Sequence, residues 1–112
     1  MKRFAMLAAT IALVDCSTPA ARREDPALLT VETTKSVMAF SGCFIDFYQG
    51  KQLRPTFTPT SKGGSIEFNI GSFASNYTTA LIDIEDIGDR RRIQLFAQNQ
   101  EKDLNEQINA CL

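Results

Sequence analysis

Between Ser65 and Ala97 apolar and polar residues alternate, and that alternation limits this chain more than any other feature does. In Ser65–Ile70, Ile66, Phe68 and Ile70 point one way, with Glu67 and Asn69 on the other side. In Tyr77–Ile84, Ala80, Ile82 and Ile84 share one face. In Arg91–Ala97, Ile93, Leu95 and Ala97 share one face. A period of two is the signature of a half-buried strand. Gly88 lies within the Glu85–Asp89 turn and joins the last two runs as an antiparallel hairpin. The other face carries Tyr77, Thr79, Leu81, Asp83, Arg92, Gln94 and Phe96, which predicts a sheet wet on one side.

The flanking segments have helical spacing. From Thr33 to Gln49, Val37, Phe40, Phe44 and Phe47 recur at intervals of three and four, with Met38 and Tyr48 widening the stripe. Thr33 or Thr34 is the expected cap, and Gly50 the stop. Leu104, Ile108 and Cys111 mark a terminal helix over Lys102–Leu112. Gln52–Pro59, with Pro55 and Pro59, reads as an edge strand or irregular segment, and Ser61-Lys62-Gly63-Gly64 as a turn. The expected fold is α+β: a two-layer sandwich with an N-terminal helix, three to four antiparallel strands and a C-terminal helix, both helices on one sheet face.

The chain opens differently. Met1-Lys2-Arg3 precedes Phe4–Val14, apolar apart from Thr10. This is the layout of a secretory signal peptide, and it is shorter than the about 20 apolar residues a membrane span needs. The segment Leu13-Val14-Asp15-Cys16-Ser17 resembles the lipobox of small bacterial envelope lipoproteins, with an apolar residue three before the cysteine and Asp15 where the family carries Gly, Ala or Ser. The resemblance implies removal of residues 1–15, lipidation of Cys16, a membrane held through the lipid, and Ser17-directed sorting to the outer membrane. Residues 16–30, with Arg22-Arg23-Glu24-Asp25, then read as a solvated tether. Residues 31–112 form a single globular domain.

The chain has three cysteines, and an odd number in an exported protein needs explaining. Lipidation of Cys16 leaves Cys43 and Cys111, either as a disulfide or as two buried thiols. A bridge closing about 68 residues stabilises by roughly 4 kcal/mol. Cys111 lies on the stripe of one helix and Cys43 beside the stripe of the other, so the two can meet.

Chemistry has few candidate residues. There is no histidine, which removes the commonest general base and the usual triads. Two isolated cysteines make no usual zinc site, and no cofactor or metal is implied. The formal charge of −1 does not suit bulk nucleic-acid binding. One constellation remains: Asp83, Glu85, Asp86 and Asp89, followed by Arg90, Arg91 and Arg92. It reads as a self-neutralised hairpin tip, a cation or anion site, or a carboxylate pair for acid–base work. Asn76-Tyr77-Thr78 matches a glycosylation triplet by chance. Phe57, Tyr77, Leu81 and Phe96 on the open sheet face, beside the proline-containing edge, are the expected partner surface. The leading expectation is a non-catalytic envelope interaction module with an envelope protein partner. A structural lipoprotein, a small carboxylate-dependent hydrolase and a ligand carrier are the alternatives.

Overall fold

The alternating segments form the middle of a five-stranded antiparallel sheet of order β1-β5-β4-β3-β2. The computed structural model describes residues 18–51, 54–72, 75–97 and 102–112, leaving out the side chains of 70–78. The expected leader, Cys16 and the glycosylation triplet's side chains lie outside this description. The elements in chain order are α1 (Pro19–Arg23), β1 (Leu29–Thr33), α2 (Val37–Phe47), β2 (Thr56–Thr60), β3 (Gly63–Ser72), β4 (Ser75–Asp86), β5 (Arg91–Ala97) and α3 (Lys102–Ala110). The fold is mixed α+β, as expected, with five strands where the sequence pattern predicts three to four and three helices where it predicts two.

Register places the apolar set on one face. Ile66 pairs with Ile82, Ile82 with Leu95, and Ile84 with Ile93. All of them are buried under Phe40 and Phe44 of α2 and Leu104 and Ile108 of α3. Removing side chains of this size from water contributes about 1.5–3 kcal/mol each. Between Phe68 and Asn69 the register shifts, so that Phe68 faces Ala80 but Asn69 faces Thr78. The extra residue is Thr79, whose hydroxyl donates to the Phe68 carbonyl at 3.1 Å, the local disruption expected of a β-bulge.

Strand β1 is a departure from the sequence expectation, which placed Leu29 in a tether and Thr33 in a helix. Leu29 and Val31 oppose Leu95 and Ile93, so the short segment gains its partners from β5. Thr33 is therefore not the cap of α2. Its hydroxyl accepts the Lys35 N–H at 3.1 Å, and Ser36 caps the helix by accepting the Ala39 N–H at 3.0 Å. The stripe of α2 is also narrower than expected. Phe40 and Phe44 are fully buried, whereas Met38 is 70% and Phe47 45% exposed. Met38 sits two residues from Phe40 and so on the far side of the helix. Tyr48, not Phe47, meets Phe68, with ring centroids 5.1 Å apart.

The bridge between Cys43 and Cys111 is formed, with Cα atoms 5.8 Å apart, and it ties α2 to the end of α3. Lys35 Nζ adds a bond to the Cys111 carbonyl at 3.0 Å.

Strand β2 lies at the sheet edge, where Pro59 is tolerated because no inner ladder needs its N–H. It turns into β3 through Ser61 and Lys62, and Gly63 then adopts φ +154° with the Ile84 carbonyl oxygen in the space a Cβ would take. A Cβ at Gly63 would overlap that oxygen. Gly63→Val is expected to lower stability by more than about 1 kcal/mol. Gly42, mid-helix with open space beside it, gives the control: Gly42→Ala is expected to raise stability by about 0.5–1 kcal/mol. Urea denaturation of the two variants measures both.

Candidate functional site

The second sheet face is not open. Thr18 accepts the Ala21 N–H on its side-chain oxygen at 3.1 Å, and Pro19 supplies the preset φ of a first helical position. The resulting α1 lies against β4 and β5, on the face opposite α2 and α3. Leu81 and Phe96, expected to be partly exposed there, are 0% and 7% exposed. Phe57 is not on this face: it opposes Ile66 and packs against the main core. The expected aromatic partner surface is thus not assembled from Phe57, Leu81 and Phe96, and the Tyr77 side chain lies outside the described residues. The expectation of a solvated tether is corrected with it over Pro19–Arg23, which forms α1 on the sheet, and from Leu29, where β1 begins.

Helix α1 also brings a residue to the site that sequence reasoning assigned to solvent. Arg23 donates from Nε to Asp83 Oδ2 at 2.7 Å and from Nη2 to Asp83 Oδ1 at 2.8 Å. Its Nη2 also reaches the Ser65 hydroxyl at 3.4 Å. The hydrogen bonds that Arg23 donates to Asp83 hold its pKa above the usual value, against partial desolvation, with the Asp83 and Glu67 charges adding to the rise. A raised pKa contributes stability that is present below the unfolded arginine value and lost only as pH climbs through the folded one. The pair's contribution therefore does not change with pH through arginine titration in the ordinary range. It is expected to be about 0.2–1 kcal/mol and to shrink with salt. Comparing Arg23→Met with wild type by urea denaturation, at low and high salt, checks this.

The hairpin residues singled out in the sequence separate into pairs. Arg92 Nη2 lies 2.8 Å from Glu85 Oε2 on the same face as Asp83. Arg91 Nη1 lies 3.0 Å from Asp86 Oδ1, and its Nε donates to the Lys35 carbonyl at 3.0 Å, fastening the loop that enters α2. Arg90 leaves the tip for Glu32 of β1 at 3.3 Å. Asp89 is exposed. The three arginines therefore do not converge on one anion. Among the described residues no group of three or more potential ligands is placed to hold a metal ion. Asp83 and Glu85 do share a face, as expected, but each is engaged by its own arginine.

Those two carboxylates line a groove of about 470 Å³ on the outward face, together with Arg23, Gln94 and Phe96. Thr60, Ser61 and Lys62 of the β2–β3 turn close one end. Asp83 and Glu85 were legible from the sequence. Arg23 was not, and Ser61-Lys62 was read as a turn but not as part of the site. The signals that point to them are Thr18-Pro19, a cap followed by an N1 proline, and the apolar pair Leu81 and Phe96 on a face that otherwise reads as wet.

A second concavity, of about 330 Å³, lies at the end of α2 between Ile45, Tyr48 and Gln49 on one side and Arg54 and Pro55 on the other. Exposed Phe47 stands close by in sequence, with Lys51 Nζ 4.1 Å from its ring centroid. No helix among the described residues is long and apolar enough to cross a membrane. No family model, curated protein or solved structure matches the chain.

Proposed function

We propose that this protein is an exported, non-catalytic binding module of the bacterial envelope, held by lipid on Cys16 and sorted to the outer membrane on the periplasmic side. The N-terminal layout, basic then apolar then cysteine, supports the export and anchoring. The observation that carries the binding role is the outward-face groove, in which Asp83 and Glu85 are already held by Arg23 and Arg92. A carboxylate fixed in this way is a positioned hydrogen-bond acceptor. It serves recognition, because the ion pair fixes its orientation.

The reading is tested in intact cells that express the protein with its own leader. A photo-crosslinker placed at Lys62, at the groove mouth, is expected to capture an envelope component. The same group at Met38, on the opposite layer, is expected not to capture it. Equal yields from both positions, or no adduct at Lys62, would count against the groove as the binding site.

A further inference from the structure

We infer that the outward-face groove takes an uncharged oligosaccharide. The inference rests on the binding-module reading and names its ligand class. The groove, at about 470 Å³, falls within the roughly 300–1,000 Å³ of small-molecule sites. Its lining mixes hydrogen-bonding types at close quarters. Asp83 and Glu85 only accept, Arg23 and Lys62 only donate, and Gln94, Thr60 and Ser61 do both. A ligand rich in hydroxyls, each able to donate and accept, satisfies such a set. Other classes do not. A phosphate or carboxylate would meet two fixed carboxylates, and a metal or organic cation would meet Arg23 and Lys62. An extended peptide seeks a free sheet edge. This groove lies over strands β3, β4 and β5, whose ladders are paired with one another, and it reaches the edge strand β2 only at its last residue, Thr60. A purely apolar ligand would desolvate the polar rim and return no hydrogen bond to it.

Pre-organisation favours the same class. Arg23 grips both oxygens of Asp83, and Arg92 grips Glu85, so the acceptors stand in place before a ligand arrives. Phe96 lines the groove but is only 7% exposed, so an edge of its ring is the one apolar contact it offers a sugar, and the polar lining carries the recognition. The site is open, so binding is weak, on the order of 1 mM, because few ligand atoms are enclosed.

The test is an amide chemical-shift titration of the processed, oxidised protein. The probes are a β-linked N-acetylglucosamine tetramer, maltotetraose and inorganic phosphate. Saturable shifts at Lys62, Asp83, Glu85 and Gln94 with at least one sugar, and none with phosphate, are the expected result. Response to the amino-sugar tetramer alone assigns a cell-wall type of glycan, and response to maltotetraose alone a hexose surface polysaccharide. Gln94→Ala and Lys62→Ala are each expected to weaken binding about fivefold or more, in keeping with the loss of a ligand hydrogen bond. Met38→Ala should leave affinity unchanged. Both groove variants retain the sheet ladder and the disulfide, and a dispersed amide spectrum verifies their fold. Shifts with neither sugar at tens of millimolar, or with phosphate instead, would overturn the inference. If the sugars fail while the Lys62 crosslinker still captures an envelope protein, the glycan inference falls and the binding-module reading stands. If both fail, both fall.

Discussion

Replacing Cys43 and Cys111 by serine, singly or together, is expected to lower the melting temperature by on the order of 20 °C. The bridge closes a loop across a sequence separation of 68 residues. Restricting the unfolded chain in this way is worth about 4 kcal/mol, and a domain of this size shifts by about 4–8 °C per kcal/mol. Either single substitution removes the same crosslink, so all three variants should melt together. Wild type in a dithiol reductant should join them. The loss should be local at first. Helix α3 is short, and apart from the bridge it is held chiefly by Leu104, Ile108 and the Lys35 bond to the Cys111 carbonyl. Hydrogen exchange is therefore expected to rise in α3 before it rises in β4 or β5. A melting temperature indifferent to reductant would mean that the bridge does not fasten the folded domain.

Phe44→Ala is expected to cost about 3–5 kcal/mol, the range for deleting a buried phenyl ring. Phe44 is fully buried and central to the aromatic cluster. Its centroid lies 6.2 Å from Phe40, 6.0 Å from Phe68 and 5.2 Å from Tyr48, and the Phe68 contact is edge-to-face. Neighbours on a sheet cannot collapse into the space, because their positions are fixed by ladder pairing. Domains are stable by only about 5–15 kcal/mol, so the variant should sit close to unfolding at body temperature. Met38→Ala, on the same helix, is the contrast. At 70% exposure Met38 should change stability by less than about 0.5 kcal/mol. Guanidinium denaturation of the two variants checks which face of α2 is the packed one.

The contrast also shows which parts of the fold were legible in the sequence. Strand β5 was legible to the residue, and β3 and β4 nearly so, because strict alternation over many residues leaves one choice of buried face. Strand β1 was not. Leu29–Thr33 is only five residues, and nothing local separates it from the helix that follows. Its partner, β5, lies about sixty residues later in the chain. Helix α1 was hidden for a related reason: a single turn with two arginines has no apolar period of its own. It is held by tertiary contact, with Arg22 buried on the sheet and Arg23 locked to Asp83. The same contact explains why half of the candidate site was missed. Asp83 and Glu85 were marked by spacing on one strand. Their arginine partners come from an adjacent strand in one case and from the N-terminal segment in the other, and the second cannot be read from spacing.

The disulfide pairing was reached by counting cysteines, with the helix stripes showing that the two could meet, and it held even where the stripe itself was misjudged. Cys43 needs only to lie on the side of α2 that faces α3, whichever of Met38 or Phe47 is exposed.

Intact mass spectrometry of the protein expressed with its own leader, before and after reduction, tests the central claim most directly. The expected species begins at Cys16, carries acyl mass, and gains one pair of hydrogens on reduction of the Cys43–Cys111 bridge. A chain that keeps Met1 and Lys2, carries no acyl group and shows no change on reduction would contradict the account. It would place the domain outside an oxidising envelope and remove the basis for an anchored binding module.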